Sequence, residues 1–307
     1  MNPIGRIIPT VVDTYLPGKE VPVRLTLIAL LSGGHLLVED IPGLGKTTLA
    51  LTMAATLGLS FGRVQCTSDL LPSDITGLTV FDRESGQFRL VKGPVFNNIL
   101  LVDEINRAMP KTQSALLEAM EERRVTIDGV TYPLPEPFMV IATQNPAEQV
   151  GTFPLPESQM DRFLIRTGIG YPPPLIEKEI IRSGSNREEI RAIRPLVDSE
   201  EIRADISLAR GVYLSEKLTD YLLALLEASR NHPLIQTGIS TRGGICLADA
   251  ARSRALLAGR DYVIPEDIIE LALPVAAHRI LLKSENEGLD KEGVFQSLIA
   301  SIPVPLS

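Results

Sequence analysis

Cysteine is scarce in this sequence: only Cys66 and Cys246 occur in 307 residues, far apart in the chain. That excludes a disulfide-stapled scaffold and suits a reducing, cytoplasmic compartment. Histidine is equally sparse. His35, His232 and His278 lack the spacing of metal ligands and read as structural residues. No run of about 18 apolar residues occurs, so no membrane span is expected. The opening MNPIGRIIPTVVDTY lacks a basic start, an apolar core and a small-residue cleavage site, so no secretory signal is expected. Basic charge is also in deficit. A net charge of -8 argues against a general nucleic-acid binder and leans towards protein or small-molecule partners. Internal repeats and low-complexity tracts are missing as well.

What is present is the stretch Val38-Glu39-Asp40-Ile41-Pro42-Gly43-Leu44-Gly45-Lys46-Thr47-Thr48. Gly45, Lys46 and Thr47 fit the end of the phosphate-binding pattern G-x-x-x-x-G-K-[ST], but the position of its first glycine holds Asp40. A short apolar run, His35 to Val38, precedes the loop, and the helical pattern TTLALTMAATLGL follows it. Strand, glycine loop, helix is the context that such a match requires. Consecutive backbone N–H groups at a helix N-terminus would cradle phosphate oxygens. The candidate ATP-binding residues are therefore Pro42, Gly43, Leu44, Gly45, Lys46, Thr47 and Thr48. Lys46 would supply charge to the β- and γ-phosphates, and the Thr47 hydroxyl would ligate Mg²⁺. A carboxylate facing the ligand would repel phosphate, so Asp40 is expected to point away and to hydrogen-bond loop or neighbouring backbone groups. On that reading Asp40→Gly binds ATP at least as well. A chance G-K-T turn and a dead site are the alternatives at this point.

Two further segments bear on that choice. Ile99-Leu100-Leu101-Val102-Asp103-Glu104 reads as a buried strand ending in two acids. Asp103 would hold Mg²⁺, partly through water, and Glu104 would orient and polarise the attacking water, as phosphoryl transfer to water requires. Acids that merely cap the next segment are the alternative. A third apolar strand, Phe138 to Thr143, runs into Gln144-Asn145-Pro146. Asn145 could reach the γ-phosphate and the water, or could simply form a turn before proline.

The remaining pattern gives the organisation. A helix is expected over residues 22–34, with hairpins over 79–91 around Ser85-Gly86 and over 125–135 around Asp128-Gly129. KTQSALLEAMEERRV reads as a helix, and Phe163 to Thr167 as a short strand. Strands alternating with helices imply an α/β fold with a mostly parallel sheet covered on both faces. Tyr171-Pro172-Pro173-Pro174 marks a boundary, since three prolines continue neither element. The segments LIEKEIIR, LTDYLLALLEASR, GICLADAARSRALLAG and PEDIIELALPVAAHRILL beyond it are helical, with Pro274 expected to kink or interrupt the last. Residues 1–172 thus form the expected core and residues 173–307 a small helical domain.

The segments HLLVEDIPGLGKTTLA, ILLVDEINRA, QSALLEAMEERRVTIDG, FMVIATQNP, GTFPLPESQMDRFLI and ISTRGGICLADAARSRALLAGRDYVIPEDI together resemble the MoxR family of AAA+ ATPases over nearly the whole chain. The resemblance implies a P-loop αβα core with two hairpin insertions, an all-helical C-terminal lid and a ring, in all expectation a hexamer. It further implies a chaperone-like remodeller of protein clients, often with a partner carrying a von Willebrand factor A domain. It assigns Arg162, in Asp161-Arg162-Phe163, as the arginine finger reaching a neighbouring subunit's γ-phosphate, a role that suits an always-charged planar donor. An intrachain ion pair is the alternative, with Arg166 and Arg107 as rival fingers. Arg242, in Ser240-Thr241-Arg242-Gly243, matches the lid sensor that contacts the phosphates of its own subunit. Here Thr-Arg-Gly stands where many relatives have Pro-Arg-Ala. Leu16-Pro17-Gly18-Lys19 replaces the family's Val-Gly-Gln stretch against adenine, so the base contacts stay open. A nucleic-acid motor and a non-catalytic ring component are the competing functions.

Overall fold

The computed structural model describes residues 3–146, 151–184, 190, 192–286 and 288–305. Among the described residues nine strands precede the proline-rich boundary: β1 (Leu36–Glu39), β2 (Phe61–Gln65), β3 (Gly77–Asp82), β4 (Gln87–Lys92), β5 (Ile99–Asp103), β6 (Arg124–Ile127), β7 (Val130–Pro133), β8 (Met139–Gln144) and β9 (Ile165–Thr167). Five of them make a parallel sheet in the order β2-β5-β8-β1-β9. The α/β expectation is met.

The sheet is buried on both faces, and its strands show why near-continuous apolar runs were needed. Alternate side chains point to opposite faces. Leu36, Val38, Ile99, Leu101, Met139 and Ile141 enter one core cluster, and Leu37, Leu100, Val102, Val140 and Ala142 enter the other. Each of these side chains larger than alanine contributes about 1.5–3 kcal/mol on full burial, so the register of the central strands is strongly specified.

The two hairpins are separate antiparallel pairs, β3 with β4 and β6 with β7. The second turns at Asp128 and Gly129, both with positive φ, the conformation that an Asp-Gly hairpin turn demands. The helix expected through Val125 stops at Glu122, because Arg123 adopts left-handed φ and the chain turns directly into β6. The helix expected over 22–34 is Glu20–Leu31, with Pro22 tolerated in its first turn.

Beyond β9, the helices among the described residues are Pro174–Ser183, Ser199–Gly211, Glu216–Asn231, Thr241–Leu257, Pro265–Ala276 and Lys291–Ser301. Asp198, Ser215 and Ser240 cap three of them through side-chain oxygens. Pro274 lies inside Pro265–Ala276, which ends two residues later; the expected helix to Leu282 is replaced by a 3-10 turn, Ala277–Arg279. The expected all-helical lid also carries, among the described residues, an antiparallel pair of Ile235–Thr237 with Leu281–Leu282. The lid helix Thr241–Leu257 packs on Glu20–Leu31, and one core cluster runs continuously from the sheet into the lid.

Candidate nucleotide-binding site

Every strand of the sheet ends at the same edge, so parallel pairing alone collects the loops after β1, β5 and β8. The loop after β1 leads into helix Lys46–Thr56. Gly43 and Gly45 have φ of 87° and 96°, a conformation that side chains rarely adopt, and Gly45 is the residue from which the helix starts. Pro42, Gly43, Gly45, Lys46, Thr47 and Thr48 line a cleft of about 320 Å³ together with Arg63, Gln65, Asp103, Glu104, Thr143 and Asn145. Of the predicted loop residues, Leu44 alone is outside this lining; its side chain packs against the core.

Lys46 Nζ donates to the main-chain oxygens of Asp40 and of Gln144, the latter at 3.2 Å. Burial lowers its pKa, against the raising influence of Asp40, Asp103, Glu104 and Glu39. Asp40 points away from the cleft, as expected. Its Oδ1 accepts from Ile41 N at 2.9 Å, and its Oδ2 accepts from Ile169 N and Gly170 N at 2.8 and 2.7 Å. Burial raises the Asp40 pKa, but these three N–H donors and Lys46 outweigh it and hold the carboxyl below its usual range.

Asp103 closes β5 and is 7% exposed. Its Oδ2 accepts from Arg63 Nε at 2.8 Å, and its Oδ1 lies 3.4 Å from the Thr143 hydroxyl that donates to it. Glu104 has φ 56° and ψ 52°, a left-handed conformation that costs a non-glycine residue about 1–2 kcal/mol. That backbone turn aims the carboxylate into the cleft. It is stabilised by Glu104 N donating to Thr143 Oγ1 at 3.0 Å. Gln65 Nε2 at 3.2 Å and Arg107 Nε at 2.9 Å hold the Glu104 carboxylate. Arg63, Gln65 and Thr143 had no place among the predicted site residues. The signal for the first two was the period-2 alternation in Phe61-Gly62-Arg63-Val64-Gln65, which puts both polar residues on one face of β2.

The two predicted arginines lie elsewhere. Arg162 Nη2 is 3.2 Å from Glu121 Oε2, and Arg242 Nη1 is 3.3 Å from Glu121 Oε1 and its Nε 3.7 Å from Asp161. Gly33, Gly34, His35 and Leu164, which precede β1 and β9, surround this pair. The pair therefore stands at the N-terminal edge of the sheet, opposite the glycine loop. A strand of four or five residues separates the two edges, about 13–17 Å. The lid sensor expected to face its own subunit's phosphates is not in the cleft.

The rivals are accounted for. Arg166 joins Glu39 at 3.0 Å and Glu292 at 2.6 Å, and Arg107 stays with Glu104. Arg279, unmarked in the sequence, has a side chain only 2% exposed and fixes the turn that carries Arg162. It pairs with Asp161 at 2.7 Å and donates to the main-chain oxygens of Asp161 and Phe163.

Comparison with known proteins places these features in a class. A family model described as "ATPase family associated with various cellular activities (AAA)" matches residues 35–165, and one described as "AAA lid domain" matches residues 227–298. The protein YeaC of Bacillus subtilis is 42% identical over 96% of this chain and 93% of its own length. Chaperone MoxR1 of Mycobacterium tuberculosis is 39% identical over 96% of this chain and 80% of its own. Protein MoxR of Paracoccus denitrificans is 34% identical over 94% of this chain and 92% of its own. A crystal structure of a Cytophaga hutchinsonii protein superposes with a TM-score of 0.92 at 39% identity, covering 99% of this chain and 96% of that one. The chain belongs to the MoxR family of AAA+ ATPases.

Proposed function

We propose that the cleft binds ATP with Mg²⁺ and hydrolyses it, and that the cycle drives chaperone-like remodelling of a protein client. The observation that carries this reading is the convergence of Lys46, Thr47, Asp103, Glu104 and Asn145 on one cleft at the carboxyl edge of the sheet. The loop N–H groups from Gly43 to Thr48 bind phosphate oxygens, and Lys46 leaves its carbonyl partners for the β- and γ-phosphates.

The donor set fits Mg²⁺. Thr47 and Asp103 offer two hard oxygen ligands on one cleft, as expected of an ion held mainly by phosphates and water. Among the described residues no cluster of His, Cys, Asp and Glu makes a protein-only metal cage. Bound there, Mg²⁺ would neutralise charge on the transferred phosphoryl group. Glu104 takes the proton of the attacking water, and Asn145 positions that water.

Arg162 and Arg242 are too far from their own cleft to take part in it. Both are presented together at the opposite edge, so both act on the nucleotide of a neighbouring subunit. That replaces the same-subunit role first expected of Arg242, and it makes a closed ring, in our reading a hexamer, part of the active site. A relative named as a chaperone supports the remodelling role, which we extend to a cytoplasmic setting and a von Willebrand factor A domain partner. Among the described residues no helix is long and apolar enough to cross a membrane. A non-catalytic ring rested on Asp40 crippling the site, and that carboxylate faces away. The net charge of -8 gives a nucleic-acid motor no footing. Magnesium-dependent phosphate release by the purified chain, abolished by Lys46→Ala, tests the reading; equal release by that variant refutes it.

A further inference from the structure

The dipeptide Ile169–Gly170 lies just after β9, where the chain leaves the sheet for Tyr171-Pro172-Pro173-Pro174. Both of its N–H groups donate to one carboxylate oxygen, Asp40 Oδ2, at 2.8 and 2.7 Å. Its carbonyls face one ammonium: Lys19 Nζ donates to Gly170 O and lies 3.5 Å from Ile169 O. Lys19 is only 6% exposed, so its charge is committed to this contact. The approach is tight throughout. A Cβ on Gly18 would lie 2.7 Å from Pro173 Cδ, and one on Gly168 would lie 3.3 Å from Asp40 Oδ2.

Asp40 also touches the other end of the chemistry. Its main-chain oxygen accepts from Lys46 Nζ, the group that must move to meet phosphate. One residue therefore holds the phosphate-sensing lysine by its carbonyl and the outgoing chain by its carboxylate. Charge-assisted bonds to backbone N–H groups are among the stronger ones a carboxylate makes, which suits a joint rather than a loose contact.

We infer that Asp40 and Lys19 are positioning residues that clamp Ile169–Gly170 and transmit occupancy of the phosphate loop to the segment leading into the lid. The inference rests on the ATP reading only in its second half. The clamp itself needs no nucleotide. Asp40→Asn removes the charge and turns one acceptor into a donor facing N–H groups. Lys19→Met removes the carbonyl anchor and leaves Asp40 untouched.

Backbone hydrogen exchange at Ile169 and Gly170 tests the clamp in the full-length protein. Without nucleotide, the wild type protects both amides, and each variant raises their exchange about tenfold or more. Because both substitutions release the same dipeptide, the double variant exchanges little faster than the faster single one. Adding ATP with Mg²⁺ to a Glu104→Gln background changes exchange at these amides several-fold, and Asp40→Asn in that background removes the response; in the chain that keeps Glu104, Asp40→Asn slows turnover less than it weakens binding. Unchanged protection in both single variants, or effects that simply add, would overturn the clamp. A clamp that responds to the variants but not to bound ATP would overturn the transmission. Absence of any ATP binding by the wild type would instead refute the ATP reading, and the nucleotide-free exchange would still decide the clamp.

Discussion

Arg162 and Arg242 grip opposite oxygens of a single carboxylate, Glu121, at 3.2 and 3.3 Å. One arginine comes from the turn before β9 and the other from the first turn of a lid helix. Their meeting point lies a full strand length from Lys46. Both side chains stay partly exposed, at 29% and 48%, so neither is sealed into its own subunit. We expect Arg162→Ala to cut ATP turnover by about 10³-fold, the scale of an arginine finger. Fluorescent-nucleotide binding should stay within about threefold, since no arginine of this pair lines the cleft.

Glu104 is held in a left-handed backbone that aims its carboxylate into the cleft. Glu104→Gln should therefore retain ATP binding and lose about 10²–10⁴-fold in turnover, the range for a positioned general base. Phosphate release and nucleotide binding measured on the same preparation check this. Turnover at the wild-type rate would remove Glu104 from the mechanism.

Asp103 is assigned to the metal rather than to the proton. Asp103→Asn should raise the Mg²⁺ concentration for half-maximal turnover by about tenfold or more. Binding of ATP in the presence of a chelator should change little. A magnesium titration of both forms separates the two effects.

His35 gives the fold an acid-sensitive core. Burial, and after it the nearby Arg123, lowers its pKa to about 3, while the unfolded chain keeps a value of about 6.5. The neutral ring accepts from Val140 N at 3.0 Å through Nδ1 and meets Met120 O through Nε2. As pH falls below about 6.5 the unfolded state gains a proton that the folded state refuses. Stability present above that pH is lost at about 1.4 kcal/mol per unit until about pH 3. His278, buried beside Arg279, is shifted in the same direction. Denaturant melts at pH 7.5 and 5.5 should show the loss, and His35→Gln should flatten it by about one proton's worth.

Much of this was legible in the sequence because the decisive segments are local. Gly43-Leu44-Gly45-Lys46-Thr47, the apolar run into Asp103 and Glu104, and Asn145 after β8 each state their own strand, turn or helix end. Parallel pairing then had to bring them to one edge. Local pattern could not show how the lid sits, because that depends on packing between Thr241–Leu257 and Glu20–Leu31, residues more than 200 apart. Arg242 was accordingly expected at its own subunit's phosphates, whereas it lies beside Glu121 and Asp161, outside the cleft. Asp40 was read correctly as pointing away, but its partners at 169 and 170 lie about 130 positions downstream. Asp40→Gly, harmless on sequence grounds, should weaken ATP binding, because it frees both Ile169–Gly170 and the loop; isothermal titration against the wild type measures this.

The central claim is that each ATP site is completed by its neighbour, and mixing subunits tests it most directly. Lys46→Ala subunits keep Arg162 and Arg242 but lack a working phosphate loop; Arg162→Ala subunits have the reverse defect. Each alone should release phosphate at about 1% of the wild-type rate or less, and an equimolar mixture should recover several-fold more than either. A mixture no more active than its parts, with rings shown to exchange subunits, would contradict the account.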